Sequence, residues 1–462
     1  MSLLVDTSLA NTTAATAIIA IATGDYANFL AKADERTRTW LNATEFRAAP
    51  HTHALLPDGT GRIASVLVGV RDANDLYALA HLPLALPAGR YVLAPALGGG
   101  TVISAEVAAL GWQLGGYQFT RYKKPRREPA TLVLPPSTAS TQAQDMFAAI
   151  KLVRDLVNTP TEEMGPQHLS DVAQALAKEF DATFKEWVGD KLLSHNFPAI
   201  HAVGRASHRP PRLIELAWGD EKNPRVAIVG KGVCFDTGGL NIKGAEGMRW
   251  MKKDMGGAAH ALALARLIMQ ARLPLRLHML VPAVENAIAG NAYRPGEVVA
   301  TRKGHTIEIG NTDAEGRVIL ADALAYAAEF TPRILIDFAT LTGAARVALG
   351  PELPATFCNN EDWFAKLNGA SRTTQDPLWR MPLWQNYNAM IDSPIATLNN
   401  SGGAQAGAIT AALFLEHFVP REQAWIHIDT FSWNPKSRPG RPEGGEAQSL
   451  RAVFAMLANL AT

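Results

Sequence analysis

The chain lacks the features that would tie it to a disulfide framework, to a membrane or to a polyanion. It has two cysteines, Cys234 and Cys358, among 462 residues, too few for a disulfide scaffold or a cysteine cage around zinc. Its 44 Lys and Arg residues nearly balance its 43 Asp and Glu residues, so a general affinity for polyanions is not expected. No apolar run reaches the roughly 20 residues of a transmembrane helix. The sequence therefore predicts no membrane attachment and a reducing compartment, the cytoplasm.

The pattern of a secretory leader is missing as well. Residues 16–23 are small and apolar, but the first basic residue is Lys32, and Asp6 lies in the region that a leader would make positive. We therefore predict that residues 16–23 form a strand of the first domain.

The length of the chain predicts two domains, because 462 residues exceed a single hydrophobic core. Residues 1–140 alternate short apolar runs with Gly- and Pro-rich turns and a helical patch at residues 74–80, which predicts a smaller N-terminal α/β domain. Residues 141–165 carry apolar side chains at helical spacing and then Asn158-Thr-Pro160, so we predict a connecting helix and linker. Residues 166–462 form the larger, catalytic domain in this interpretation.

The larger domain alternates apolar strands with long helical patterns, which predicts α/β structure with a mixed sheet flanked by helices. The strand-like runs are Leu213–Ala217, Val226–Val229, Leu277–Val281, Ile334–Phe338 and Trp425–Ile428, and the helical patterns are Gly256–Ala271, Val318–Phe330 and Ala406–Phe418. Functional sites in such folds lie at the carboxyl ends of the strands.

Polar and glycine-rich segments follow these strands repeatedly. The residues at these positions include Lys231, Asp236, Lys243 and Asp254 near one strand and Thr340, Leu341 and Gly343 after another. Taken singly, Asp254 could cap the helix at Gly256 and Asp236 could belong to a turn. Together with Asp313 and Glu315, however, they place four carboxylates in loops at strand ends.

Four converging carboxylates would repel one another strongly unless cations balance them. Two divalent ions supply four positive charges, and oxygen ligands with one nitrogen suit zinc, manganese, cobalt or magnesium. The sequence has no His-Glu-x-x-His motif, so a single-zinc site of the thermolysin type is not expected.

The stretch Asn311-Thr-Asp-Ala-Glu-Gly-Arg317 allows two interpretations. If the segment is extended, Asp313 and Glu315 point to the same side, as a metal or anion site requires. Alternatively, Asp313 caps the helix that follows and Glu315 favours its positive end. Arg317 opposes the second interpretation, because a cation in the first turn opposes the helix dipole.

Four segments, in this order, resemble the signatures of the leucine (cytosol) aminopeptidase family. They are Gly230–Gly239, Met251–Ala259, Asn311–Arg317 and Ala339–Gly343, within a resemblance that spans roughly residues 145–430. The resemblance implies a leucyl aminopeptidase-type metallo-exopeptidase, a hydrolase, assembled as a homohexamer of two stacked trimers.

The resemblance also implies two adjacent divalent ions, usually zinc, one of them exchangeable for manganese or magnesium. Carried onto this sequence, the ligands are Lys231, Asp236, Asp254, Asp313 and Glu315, with Lys231 as the neutral amine. The implied catalytic residues are Lys243 and Arg317, and Arg317 with the backbone near Leu341 binds a bicarbonate.

The implied reaction hydrolyses the first bond of peptides with a free α-amine, because one metal binds that amine. In the mechanism that the resemblance implies, a metal-bridged water would attack the scissile carbonyl, and Lys243 with a metal would stabilise the oxyanion. The bicarbonate is the general base and returns the proton to the leaving amine.

The pocket for the first side chain departs from the family pattern. The positions that match it include Met251, Thr340 and Gly343, but Phe431 stands where the family has a small residue. A phenylalanine there narrows the pocket, so a preference for leucine is not implied. Phe431→Ala is expected to broaden the acceptance of large first residues.

Two other functions stay open on the sequence. A di-metal amidohydrolase or dipeptidase acting on another substrate would need no free α-amine. The basic run at residues 121–127 would suit a secondary DNA-binding role, although most short charge runs are simply solvated, and nucleic acid is not an expected partner.

Overall fold

The computed structural model describes residues 4–6, 15–94 and 100–460. The chain forms two compact units, Met1–Lys151 with Lys436–Glu443 and Leu152–Pro435 with Gly444–Thr462. Residues 436–443 thus belong to the first unit although they lie far along the chain. Among the described residues, no helix is both long and apolar enough to cross a membrane.

The first unit contains a six-stranded sheet in its described part. Its elements are β1 (Val5–Asp6), β2 (Thr16–Ala22), α1 (Tyr26–Lys32), α2 (Glu35–Ala43), β3 (His53–Pro57), β4 (Ile63–Val70), β5 (Arg90–Leu93), α3 (Ala105–Gly116) and β6 (Thr131–Val133). The strand order is β1-β6-β5-β2-β4-β3, and only the β3–β4 pair is antiparallel. The predicted N-terminal α/β fold is confirmed, and β2 is the strand predicted at residues 16–23.

Residues 74–80 are not helical, so the helical patch predicted there is wrong. They form successive turns, in which the Ala78 amide bonds to the Asp75 carbonyl and the Ala80 amide to the Tyr77 carbonyl, both at 3.0 Å. The Asp75 side chain also accepts from the Tyr77 amide at 2.9 Å. An aspartate that satisfies an amide two residues later favours a turn over a helix.

Helix α4 (Thr138–Asn158) begins among residues of the first unit and ends among those of the second. The later elements are α5 (Pro166–Phe180), β7 (Thr183–Val188), α6 (Lys191–Ser194), α7 (Pro198–Gly204), β8 (Arg212–Trp218), β9 (Arg225–Gly230), β10 (Gly232–Asp236), α8 (Ala245–Arg249), α9 (Gly256–Gln270), β11 (Arg276–Asn286), β12 (Val298–Ala300), β13 (Thr306–Glu308), α10 (Glu315–Glu329), β14 (Ile334–Ala339), α11 (Gly343–Leu349), β15 (Ala355–Cys358), α12 (Glu361–Thr373), β16 (Trp379–Arg380), β17 (Leu398–Asn399), α13 (Gly407–Glu416), β18 (Trp425–Asp429), β19 (Trp433–Asn434), β20 (Gly444–Gly445) and α14 (Leu450–Ala458).

The main sheet of the second unit has the strand order β16-β15-β18-β14-β9-β11-β8-β7, and β10 also pairs with β11. The neighbours β18, β14, β9, β11 and β10 are parallel, whereas β15, β8 and β7 run antiparallel to a neighbour. The predicted mixed sheet with flanking helices is confirmed. Because the five central strands are parallel, their carboxyl ends meet at one edge of the sheet.

Close packing of helices onto this sheet fixes what surrounds that edge. Helices α10 and α13 bury Leu324 and Phe414 against strand residues such as Leu335 and Trp425. On α9, a Cβ added to Gly257 would lie 2.1 Å from the Phe338 carbonyl oxygen. Only glycine permits so close an approach, and it brings the start of α9 beside the end of β14.

Candidate active site

The carboxyl edge of the main sheet gathers the polar residues that the sequence pattern singles out. Lys231 follows β9, Asp236 ends β10, Asp254 lies in the 3-10 turn Met251–Met255 before α9, Asp313 lies in the 3-10 turn Thr312–Ala314, and Glu315 begins α10. Oxygen atoms of Asp236, Asp313 and Glu315 all lie within 4.8 Å of one another. The structure therefore brings three of the four carboxylates into a single cluster.

Lys231 joins the fourth carboxylate to this cluster. Its Nζ lies 2.8 Å from Asp254 Oδ2 and 2.9 Å from Glu315 Oε1, and it donates to the Thr340 carbonyl at 3.1 Å. Burial alone would lower the pKa of Lys231, but Asp254 and Glu315 hold it above its usual value. Burial would likewise raise the pKa of Asp254, and Lys231 instead lowers it to about 2.

Gly316 allows α10 to approach this lysine. A Cβ added there would lie 2.5 Å from Lys231 Cε and 2.6 Å from Lys231 Nζ. Real side-chain carbons do not pack at such distances, so the glycine in this motif is required by the position of Lys231.

Lys243 bridges the other side of the cluster. Its Nζ lies 2.8 Å from Asp236 Oδ2 and also contacts Asp313 Oδ1. Burial and the charge of Asp236 raise the pKa of Asp313 to about 6 and that of Glu315 to about 8. The pKa of Lys243, which burial would lower, is raised by Asp236.

The cluster has the donor set and the excess of acceptors that a metal site requires. Glu315 Oε2 is buried and forms no hydrogen bond within the described part of the chain, although a buried carboxylate oxygen without a partner is costly. Carboxylates with raised pKa values are groups that a cation would ionise. These residues therefore fit a pair of divalent ions.

The alternative in which Asp313 and Asp254 cap helices is wrong. Ala314 precedes α10 and Met255 precedes α9, and neither helix has a side-chain cap. The segment is not extended either, because residues 312–314 form a 3-10 turn in which Asn311 accepts from the Asp313 amide at 2.8 Å. Asp313 and Glu315 converge because this turn runs directly into α10.

Asn286, which the sequence analysis overlooked, orients Asp236. Its Nδ2 donates to Asp236 Oδ1 at 2.8 Å and to the Thr312 carbonyl at 3.0 Å. The Gly238 amide donates to the same Asp236 oxygen at 2.8 Å. Asn286 ends β11, so the rule of strand carboxyl ends could have identified it.

Asp429 at the end of β18, also overlooked, fixes the loop after β14. Asp429 Oδ1 accepts from the Leu341 amide at 2.9 Å and from the Thr342 amide at 3.2 Å, and the Thr342 hydroxyl donates to Oδ2 at 2.6 Å. Burial raises the Asp429 pKa. Within the same loop, the Thr340 hydroxyl donates to Asp254 Oδ1 at 2.7 Å.

Arg317 is buried in the first turn of α10 and does not line the cavity described below. Its Nη1 donates to the Asn400 carbonyl at 2.8 Å, and its Cζ lies 5.9 Å from the centre of the Phe414 ring. Burial lowers the Arg317 pKa to about 10, against the opposing charges of Glu315 and Asp429.

A cavity of about 390 Å³ opens onto the cluster. It is lined by the predicted ligands and Lys243, and by the residues predicted to surround the first side chain: Met251, Thr340, Gly343 and Phe431. Leu341, predicted to lie beside the bicarbonate, lines it as well. Two further cations, Lys253 and Arg346, also line it. Apart from Arg317, all the predicted site residues thus face one cavity.

Sequence profiles decide the family. The profile described as "Cytosol aminopeptidase family, catalytic domain" matches residues 151–454, and that described as "M17 aminopeptidase, N-terminal domain" matches residues 17–135. The chain belongs to the cytosol aminopeptidase family. It is therefore an enzyme of the leucyl aminopeptidase type, a hydrolase, as the resemblance implied.

Individual relatives agree with this assignment. A Syntrophotalea carbinolica protein named "Probable cytosol aminopeptidase" is 38% identical over 86% of this chain and 81% of its own length. The crystal structure of a cytosol aminopeptidase from Coxiella burnetii is 48% identical, with a TM-score of 0.94 over 100% of this chain and 99% of that one. The bottromycin maturation enzyme BotP, solved in complex with Mn, is 31% identical, with a TM-score of 0.87 over 97% of this chain and 100% of that one.

Proposed function

We propose that this family member hydrolyses the N-terminal peptide bond of peptides with a free α-amine and depends on two divalent metal ions. The observation that carries the proposal is the convergence of Asp236, Asp313 and Glu315 within 4.8 Å. Lys231 and Asp254, which are paired at 2.8 Å, would complete a set of five ligands, with Lys231 as the neutral amine once metal displaces its proton.

The five ligands would hold zinc, or manganese, magnesium or cobalt at an exchangeable position. The complex of the relative BotP with Mn supports a divalent ion. When bound, the two ions would supply a bridging water of lowered pKa and polarise the scissile carbonyl.

Lys243 is suited to stabilise the negative charge that develops on the carbonyl oxygen. Nearby carboxylates raise its pKa, so it stays protonated and can donate a hydrogen bond. Its present partners, Asp236 and Asp313, are also proposed metal ligands. Once their charge is shared with metal, the ammonium is available to an oxyanion in the cavity.

Arg317 is the proposed anion-binding residue. Its Nε is buried without a hydrogen-bond partner in the described chain, and it lies at the N-terminus of α10, where anions are favoured. With the backbone near Leu341 it would hold a bicarbonate, which would supply a general base. Its guanidinium now faces Asn400 and Phe414, so a small rearrangement accompanies this role.

We further propose a cytoplasmic homohexamer of two stacked trimers that binds neither membrane nor nucleic acid. The names of the relatives support the compartment. Within the basic run at residues 121–127, Arg127 donates to the carbonyls of Leu84, Ala85 and Leu86, which gives that arginine a structural role. Light scattering tests the assembly, and a salt-dependent DNA-binding assay tests the absence of nucleic-acid affinity.

Hydrolysis of aminoacyl-arylamides tests the proposed activity. Each substrate is compared with its N-acetylated form, before and after removal of metal by a chelator and after addition of Zn²⁺ or Mn²⁺. We expect hydrolysis only of the free-amine form, loss of activity on chelation and recovery on metal addition. Hydrolysis of the acetylated form would indicate an amidohydrolase, and indifference to the chelator would overturn the metal dependence.

A further inference from the structure

Phe431 forms an aromatic wall of the cavity, and two cations lie over its ring. Arg346 Cζ is 4.7 Å from the centre of the ring, and Lys253 Nζ is 5.3 Å from it. Both cations also line the cavity. This part of the pocket therefore combines an aromatic wall with positive charge, whereas an aliphatic side chain such as that of leucine would favour an uncharged pocket.

The carboxylates near the cavity leave Arg346 without a partner. Asp254 lies 3.6 Å from Lys253 through Oδ1, and Asp429 is occupied by the amides and hydroxyl of the loop after β14. In the part of the chain that the structure describes, the Arg346 side chain lies within 4.0 Å of no carboxylate, and its guanidinium lies over the Phe431 ring. Its side chain is exposed in the last turn of α11.

Metal binding would increase this excess of positive charge. Two divalent ions balance Asp236, Asp254, Asp313 and Glu315, four negative charges against four positive charges. Of the other charged residues that line the cavity, Lys243, Lys253 and Arg346 then face the single carboxylate of Asp429, and Lys253 and Arg346 are the two beside Phe431. A guanidinium binds a carboxylate through two parallel hydrogen bonds, and a flat aromatic surface orients it for that role.

Resting on the proposed aminopeptidase function, we propose that Arg346 is a specificity-determining residue that selects peptides whose first side chain carries a carboxylate. Phe431 limits the room for a large aliphatic side chain, while an aspartate or glutamate reaches the guanidinium over the ring. An ion pair at a partly exposed position contributes about fivefold in selectivity.

The test compares two substrates that differ only in charge. We expect kcat/KM for glutamyl-arylamide to exceed that for glutaminyl-arylamide by up to about fivefold, with the ratio falling as salt is raised. Arg346→Gln should bring the ratio towards one, whereas Arg346→Lys should keep it above one. Lys222→Gln is the matched control: it also removes one positive charge, but from an exposed residue outside the cavity. It should leave the ratio at its wild-type value.

Three outcomes would overturn the inference. The first is a ratio at or below one in the wild-type enzyme, and the second is a ratio that Arg346→Gln does not change. The third is that Arg346 binds a different carboxylate, the C-terminus of a dipeptide. The enzyme would then prefer Ala-Gly to Ala-Gly-amide and show no preference for glutamyl substrates, and Arg346→Gln would abolish the preference for Ala-Gly. Hydrolysis of glutaminyl- or alanyl-arylamide in any of these cases would leave the proposed aminopeptidase function intact, whereas inertness towards every free-amine substrate would refute that function itself.

Discussion

Replacing Gly316 by alanine should disable the active site without unfolding the enzyme. The new methyl group would lie 2.5 Å from Lys231 Cε, whereas non-bonded carbons pack at about 3.5–4.0 Å. To remove this steric clash, Lys231 must move by about 1 Å, away from Asp254 and Glu315, which now lie 2.8 and 2.9 Å from its Nζ. Because a misplacement of about 1 Å can cost about a hundredfold in rate, we expect kcat/KM to fall by about that factor.

The change in stability should be small by comparison. Overpacking costs about 1–3 kcal/mol, and alanine in place of glycine in a helix contributes about 1 kcal/mol in the opposite direction. The free energy of unfolding should therefore fall by about 0–2 kcal/mol. Gly369 in α12 provides the matched control, because a Cβ there meets nothing within 4 Å and Gly369→Ala should retain full activity.

The two quantities are measured on the same preparations, kcat/KM with an aminoacyl-arylamide and the free energy of unfolding by urea denaturation at fixed metal concentration. Wild-type kcat/KM in Gly316→Ala would refute the reasoning, since Lys231 would then tolerate displacement. Loss of activity together with a loss of stability well above 3 kcal/mol would instead show that the substitution unfolds the protein.

Three further substitutions test other parts of the site. Asp313→Asn should abolish metal-dependent hydrolysis while leaving the circular dichroism spectrum unchanged, and residual activity at saturating metal would contradict its role. Asp429→Asn removes the negative charge and one of the two acceptor oxygens that hold the loop after β14, so urea denaturation should show a loss of about 1.5–3 kcal/mol together with a lower kcat. An unchanged kcat would separate this loop from catalysis. Burial would lower the pKa of His427, but the charge and hydrogen bond of Asp337 raise it above the usual value of 6.5. The His427–Asp337 pair therefore contributes its full stabilisation below pH 6.5, and this contribution is lost as pH rises through the raised pKa. His427→Gln should flatten that decline in unfolding free energy, and an identical slope would argue against the pair.

The position of the site could be predicted from local sequence, because the site residues directly follow strands in the chain. The apolar runs at Val226–Val229 and Ile334–Phe338 form β9 and β14, and residues that follow parallel strands in the chain must emerge at the same edge of the sheet. The convergence of Asp236 with Asp313 and Glu315 could thus be anticipated without knowledge of the strand order.

Contacts between distant residues could not be read in this way. Asn286 and Asp429 act through hydrogen bonds to Asp236 and to the loop after β14, and these depend on which strands become neighbours. The position of Arg346 over the Phe431 ring could not be predicted either, because Arg346 lies on α11, which is distant from Phe431 in the sequence.

Helix α3 was also not predicted from the sequence pattern. It is buried on almost all sides, so its sequence lacks the polar face that gives an amphipathic period, and its glycines lower the intrinsic helix propensity. The structure shows why two of them are there. A Cβ on Gly111 would lie 2.3 Å from the Leu76 carbonyl oxygen, and one on Gly115 would lie 1.9 Å from that of Ala80.

The central claim, that the clustered carboxylates of this aminopeptidase hold two catalytic divalent ions, is tested most directly by titrating metal-free enzyme with Mn²⁺ while following hydrolysis of a free-amine aminoacyl-arylamide. Bound metal is determined on the same samples by mass spectrometry. We predict no hydrolysis without metal, maximal activity at two ions per chain, and no hydrolysis of the N-acetylated substrate at any point. Full activity in the metal-free enzyme, or a maximum at a single bound ion, would contradict the account.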